Sequence, residues 1–153
     1  MTVLAIDPGP TESAYVLLKG GAVVEFAKLG NEEMLYRCGQ TWDANIVLVV
    51  EQVAAMGMAV GAEVFETVWW SGRFAQAWHS QSDRLKRHEV KMFLCGNMRA
   101  KDANIRQSLL DRYGGKEAAI GRKAKPGPLY GLSGDCWSAL AIAITYSETR
   151  SKQ

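Results

Sequence analysis

The sequence predicts an α/β fold in which helices cover both faces of a mixed β-sheet. Two observations support this prediction: three consecutive strand-like segments open the chain, and the remainder alternates between helical and strand-like patterns in the order β-β-β-α-β-α-β-α-α. The 153 residues, of which 48% are hydrophobic and 22% charged, have the composition of a globular domain. We therefore expect one domain over residues 1–153.

The first half of the chain is predicted to contain four strands and one helix. The strands are expected over residues 2–7, 13–18, 22–28 and 46–50. Gly20-Gly21 is typical of a hairpin turn between the second and third strands. Asn31 is predicted to be the N-cap of a helix that ends near Gln40. The fourth strand is a continuous apolar run, which indicates a central position with both faces covered.

The second half is predicted to contain three helices and the fifth strand. Helices are expected over residues 57–79, 101–113 and 134–148, and the strand over residues 88–93. Apolar residues in the first of these helices recur at spacings of three and four. Gly114-Gly115 is a typical stop for the second helix. The segment 116–132, rich in Gly, Pro and Lys, predicts a mobile loop.

Three carboxylates, Asp7, Glu51 and Asp135, lie at the ends of apolar runs. Taken singly, they are explained as a turn residue, a solvated strand end and an acid at a helix N-terminus. Three such groups that converge would repel one another, and a divalent cation is the usual remedy. Together they therefore predict a site for a hard metal ion on a rigid sheet.

The charges are unevenly distributed although the net charge is only +2. Twelve of the 18 Lys and Arg residues lie between Arg84 and Lys125. Such asymmetry is compatible with a polyanion that lies across one face, and equally with a solvated surface.

The cysteines argue for a reducing compartment. Cys38, Cys95 and Cys136 form no CxxC pair, and the two histidines, His79 and His88, make no metal-ligand pattern. A disulfide framework and a structural zinc site are therefore not expected. We also see no basic leader and no apolar run of membrane-spanning length. These features predict a cytoplasmic protein without a membrane partner, from a bacterium or from a virus-infected host.

The local sequences around the three acids resemble those of RuvC-type Holliday-junction resolvases, which belong to the ribonuclease-H-like superfamily. The motifs are Asp7-Pro8-Gly9 followed by Ala14-Tyr15, then Glu51-Gln52-Val53, and then Asp135 followed by residues 138–143. Lys91, at the end of the predicted fifth strand, and Lys101, at the start of the next helix, fall where that family carries basic residues near the scissile phosphate. The resemblance extends from residue 2 to about residue 148.

The resemblance implies a ribonuclease-H-like mixed sheet of five strands, with a three-stranded antiparallel meander followed by parallel strands. It implies an endonuclease that resolves Holliday junctions or other branched DNA by paired nicks, as a homodimer, without a nucleotide cofactor. In such enzymes two Mg²⁺ or Mn²⁺ ions lie roughly 4 Å apart. Asp7, Glu51 and Asp135 would bind these ions. Lys101 would stabilise the transition state, and Lys91 would hold the phosphate.

The resemblance also suggests roles for two further groups of residues. Arg122, Lys123 and Lys125 are either part of a solvated loop or contacts to the DNA backbone. The tryptophans Trp69, Trp70 and Trp78 are expected in the core or at a dimer interface rather than in stacking on DNA.

The chain departs from the family pattern at two places. Ser138 stands where the family usually has a second acid in the last helix, so that either Ser138 binds a metal-bound water or Asp102 supplies the charge. After Val53, where bacterial members often have an aromatic residue, Met56 or Met58 is left as an apolar wedge. The alternatives are a related nuclease for other branched DNA or structured RNA, and a weakened module that only binds nucleic acid. An actin-like nucleotide-binding fragment is disfavoured by length.

Overall fold

The computed structural model of the protein describes residues 1–150, which are built around a five-stranded sheet. Its strands are β1 (Thr2–Asp7), β2 (Glu12–Lys19), β3 (Ala22–Gly30), β4 (Ile46–Gln52) and β5 (Ser82–Lys86). In the sheet order β3-β2-β1-β4-β5, the first three strands are antiparallel, while β1, β4 and β5 are parallel. The predicted meander followed by parallel strands is therefore confirmed.

Helices cover both faces of this sheet, as predicted. They are α1 (Asn31–Cys38), α2 (Ala62–Ala77), α3 (Arg87–Cys95), α4 (Asp102–Arg112), α5 (Lys116–Ile120) and α6 (Cys136–Arg150). Because side chains alternate along a strand, Val3 and Ala5 pack on the face of α3, α4 and α6, while Leu4 and Ile6 pack on that of α1 and α2. No helix within residues 1–150 is both long and apolar enough to cross a membrane.

The fifth strand is displaced from its predicted position, which is occupied by a helix instead. Residues 88–93, expected as a strand, belong to α3, and β5 precedes them. Val90 and Leu94 are buried four residues apart, as in a helix, and Gly96 ends the helix in the left-handed conformation at φ 66°. β5 is a mostly exposed edge strand in which only Leu85 is buried. Without an apolar pattern of its own, it was overlooked.

Residues 116–132 were expected to be a mobile loop, but they contain regular structure. Helix α5 is followed by a hairpin of β6 (Gly121–Arg122) and β7 (Lys125–Pro126). The buried Leu129 anchors the segment, and its N–H donates to the carbonyl of Ala119 over 2.8 Å. A Cβ on Gly127 would lie 2.3 Å from the carbonyl oxygen of Ala118, so the backbone packs closely here.

Asn31 does not act as the predicted N-cap. Gly30 occupies that position, and no side chain caps the helix. The buried Asn31 amide instead donates to the carbonyl of Gly9 over 2.9 Å and accepts from the Ser13 hydroxyl over 2.6 Å. The Ser13 hydroxyl also accepts from the N–H of Gly9. This network braces the turn that follows Asp7.

Candidate active site

The register of the sheet places Asp7 and Glu51 side by side. β1 and β4 are parallel and pair Ile6 with Val50, so the next residue on each strand is one of the two acids. Both acids continue the row of alternate side chains that faces α6. Asp135 immediately precedes α6, and its carbonyl accepts the N–H of Ala139 over 3.0 Å. The carboxyl edge of the central strands thus meets the start of the most buried helix.

The electrostatics of Asp7 show that the three acids share one environment. The pKa of Asp7 is raised to about 7, first by burial and then by the charges of Glu51 and Asp135. Burial also raises the pKa of Glu51, against the opposing charge of Arg87. A carboxylate with its pKa near neutrality is unusual, and it is typical of a functional site.

Two basic side chains pair with the outer acids of this cluster. Lys28 Nζ lies 2.8 Å from Asp135 Oδ2. Arg87 Nη1 lies 3.5 Å from Glu51 Oε2, and the same guanidinium also pairs with Asp102. Sequence reasoning missed both cations. The register identifies Lys28, because β2 pairs Ala14 with both Asp7 and Lys28, and so puts the three in one row.

The donor chemistry of the cluster suits a hard divalent ion, because Mg²⁺ and Mn²⁺ prefer carboxylate oxygens. As the side chains stand, no three His, Cys, Asp or Glu residues within residues 1–150 are arranged to hold an ion. Asp135 is paired with Lys28, and Glu51 with Arg87. An ion at this edge therefore has to replace these cations as the partner of the outer acids.

The other predicted residues lie on α3, on α6 and at the start of α4. Lys91 lies on α3 rather than at a strand end, and its charge lowers the pKa of Glu51. Lys101 is exposed just before α4, where its N–H donates to Asn104 Oδ1 over 3.0 Å. Ser138 is half-buried on α6, one turn after Asp135. Asp102 is connected to Glu51 through Arg87.

A pocket opens beside Glu51, between the loop that follows β4 and helix α3. Met56 and Lys91 are among its lining residues. Met56 is exposed and is held at a φ of 52°, in the left-handed region that non-glycine residues rarely adopt. Met58, on the same loop, is exposed as well. Met56 thus places an exposed apolar side chain at the rim of this pocket.

The predicted basic loop and the tryptophans are found in distinct settings. Arg122, Lys123 and Lys125 are exposed on the β6–β7 hairpin. Trp78 is buried and its ring centroid lies 5.6 Å from that of Trp42, whereas Trp69 is 65% exposed. The tryptophans of this region therefore divide between core and surface.

Comparison with solved structures identifies the class of fold. A structure of RuvC from Thermus thermophilus matches with a TM-score of 0.66 and 17% sequence identity, over 99% of this chain and 96% of that chain. T. thermophilus RuvC in complex with a Holliday junction substrate matches with a TM-score of 0.66 and 16% identity, over the same shares. No protein family model and no curated protein matches the sequence.

The matches, together with the sheet order, define a ribonuclease-H-like fold. More specifically, the chain has the RuvC-like form of that fold over nearly its whole length. The resemblance inferred from the motifs is confirmed at the level of the fold.

Proposed function

We propose that the protein is a metal-dependent, structure-selective endodeoxyribonuclease that resolves Holliday junctions or related branched DNA. The observation that carries the proposal is the acidic cluster of Asp7, Glu51 and Asp135, in which the pKa of Asp7 is raised to about 7. The cluster occurs on the fold of a protein whose structure contains a Holliday junction substrate. Because a fold alone does not determine function, the acidic cluster is needed to support nuclease activity.

The proposed chemistry is phosphodiester hydrolysis with two bound ions. A pair of bound Mg²⁺ or Mn²⁺ ions would activate water and stabilise the leaving oxygen. Asp7 is central and would contact both ions, while Glu51 and Asp135 would each contact one. Ser138 or Asp102 would complete the set. Lys91, whose charge reaches Glu51, would hold the phosphate, and Lys101 would offset negative charge that grows in the transition state.

Two exposed features would bind the DNA around the cut. Arg122, Lys123 and Lys125 on the β6–β7 hairpin would contact backbone phosphates, which position a duplex without reading its sequence. The apolar side chains of Met56 and Met58 would insert between base pairs where the strands exchange. Branched DNA is favoured because its bases at the branch are already partly unstacked.

The paired nicks require two active sites, which we propose are supplied by a homodimer. Helix α2 buries only Thr67 and Phe74, and it exposes Phe65, Val68 and Trp69. An apolar groove between α1 and α2 lies beside these residues and includes Leu35 and Ala77. A second copy of the chain would cover this face. We further propose that the protein acts in the cytoplasm, where its thiols stay reduced.

The proposal is tested by incubating the protein with a four-way junction, a matched duplex, a flap and a structured RNA. Each substrate is combined with Mg²⁺, with Mn²⁺ or with a chelator. We expect symmetric nicks in the junction, which are lost with chelator and in the Asp7→Asn variant. The Asp43→Asn variant, altered in an exposed loop, is the matched control and should cut as the wild type does.

Each other outcome changes the proposal in a defined way. Preferential cleavage of flaps or RNA would keep the metal site and replace the substrate. Tight junction binding without any cut would replace the enzyme with a binding module, in which Ser138 marks a lost metal ligand. Cleavage that is unaffected by chelator would contradict the metal-dependent mechanism itself.

A further inference from the structure

Lys28 lies in the same cross-strand row as Asp7. β2 pairs Ala14 with Asp7 on one side and with Lys28 on the other. Residues paired in this way project from the same face of a sheet. Ala14 is fully buried and small, so no bulky side chain separates the lysine from the acidic cluster.

The lysine contacts one acid and influences a second. Lys28 Nζ lies 2.8 Å from Asp135 Oδ2 and 3.7 Å from Glu12 Oε2. Its charge also lowers the pKa of Asp7. Lys28 therefore acts on the two carboxylates, Asp7 and Asp135, that would share one of the two ions under the proposed function.

Building on that proposed function, we propose that Lys28 is a displaceable counter-ion at the position of the ion shared by Asp7 and Asp135. In the protein without DNA, the ammonium group neutralises Asp135 and competes with the divalent ion there. The ion shared by Asp7 and Glu51 meets no competition from Lys28. Arg87 competes at the position beside Glu51, so removal of Lys28 strengthens ion binding only at the position beside Asp135. That position also fills more readily after a DNA phosphate attracts Lys28 away.

The exposure of the pair explains why the lysine can leave. The side chains of Lys28 and Asp135 are 45% and 53% exposed, and ion pairs of that kind are weak. Glu12 offers the displaced ammonium a second partner. A phosphate of the substrate offers a third, with a stronger charge-assisted bond. Arg87, by contrast, is held by both Glu51 and Asp102.

The test measures Mn²⁺ binding to the DNA-free protein by electron paramagnetic resonance of the unbound ion. The Lys28→Met variant should bind one of two ions at least about tenfold more tightly than the wild type, because a competing unit charge near that ion is removed. Lys28→Arg should retain the wild-type isotherm. Lys19→Met is the matched control, because Lys19 lies at the end of β2 that is far from Asp7. It should also leave the isotherm unchanged.

The double variant Lys28→Met/Asp135→Asn identifies the ion concerned. It should lack the tenfold tighter Mn²⁺ binding that Lys28→Met shows relative to the wild type. An isotherm that is identical in wild type and Lys28→Met would overturn the inference, as would a gain that persists without the Asp135 carboxylate. Neither result would affect junction cleavage by the wild type, which tests the proposed function separately. A shifted isotherm in a protein that cuts no nucleic acid would support the role of Lys28 and remove only the nuclease activity. Failure of every variant and of the wild type to bind Mn²⁺ would overturn both.

Discussion

At the scale of single residues, Asp7 carries an energetic cost that a functional role explains. Its pKa is raised to about 7 in the folded protein from an ordinary value of 3.8. The folded state therefore binds the proton more tightly than the unfolded state does. This group costs nothing below pH 3.8, and its cost to stability grows until the pH passes about 7.

The Asp7→Asn variant is accordingly expected to be more stable than the wild type at pH 8 and equally stable at pH 3.5. The full shift corresponds to about 4 kcal/mol, and we expect about 2 kcal/mol after screening by solvent. Urea denaturation of both proteins at the two pH values measures the difference. The Asp43→Asn variant, which removes one carboxylate from an exposed loop, is the control. A destabilised Asp7→Asn protein at pH 8 would contradict this account of the site.

Ser138 provides a second test at this scale. It lies on α6 one turn after Asp135, so an acid at this position would project from the same side of the helix. We expect Ser138→Asp to raise Mn²⁺ affinity about tenfold, since a carboxylate binds a divalent ion far better than a hydroxyl does. Titration of Mn²⁺ measures the change, with Ser138→Asn as the uncharged control of similar size. Equal Mn²⁺ affinities in both variants would favour Asp102 as the residue that completes the metal ligands.

At the scale of the elements, the sequence predicted what hydrophobic periodicity encodes and missed what pairing decides. The apolar runs of β1 and β4, and the apolar helix α6, were predicted nearly as they are, and with them the positions of Asp7, Glu51 and Asp135. β5 was missed because an exposed edge strand is defined by the backbone of β4 rather than by its own side chains.

The partners of the acids were missed for a related reason. Lys28 was predicted within a strand, but its contact with Asp135 depends on the register of β3 and on the position of α6. Arg87 was assigned no role, because α3 was predicted to be a strand over residues 88–93. Contacts between distant segments are a property of the assembled sheet, which a single sequence does not reveal.

The β6–β7 hairpin is the element whose role is most directly measurable. Replacing Arg122, Lys123 and Lys125 together with Ala should weaken junction binding uniformly across sequences. The slope of log K against log salt concentration should fall by up to about 3, because each cation releases about one counterion from the DNA. Filter binding at several salt concentrations measures the slope. The triple variant Arg122→Lys/Lys123→Arg/Lys125→Arg keeps all three charges and should preserve the slope. An unchanged slope in the Ala variant would indicate that the hairpin is a solvated surface that does not contact the DNA.

At the scale of the whole molecule, the acidic cluster and the exposed aromatic residues of α2 lie on opposite faces of the sheet. The acidic cluster lies at the carboxyl ends of the central strands and at the start of α6, next to the larger cluster of buried apolar residues. Helix α2 lies on the opposite face and leaves Phe65 and Trp69 exposed at 66% and 65%. The face that would pair two copies is thus distinct from the face that would cut.

This separation predicts that pairing and cutting can be uncoupled. Phe65→Glu/Trp69→Glu should weaken the proposed dimer at least about 30-fold, because two aromatic anchors are lost and like charges are brought together across the interface. The resulting monomers should still nick a junction, but the two nicks should no longer coincide. Sedimentation velocity measures the first effect, and a junction labelled on two strands measures the second. Val24→Glu, which adds a charge at an exposed apolar position on β3, is the control. A double variant that remains dimeric would show that another surface pairs the two copies, and coincident nicks from a proven monomer would show that one copy cuts both strands.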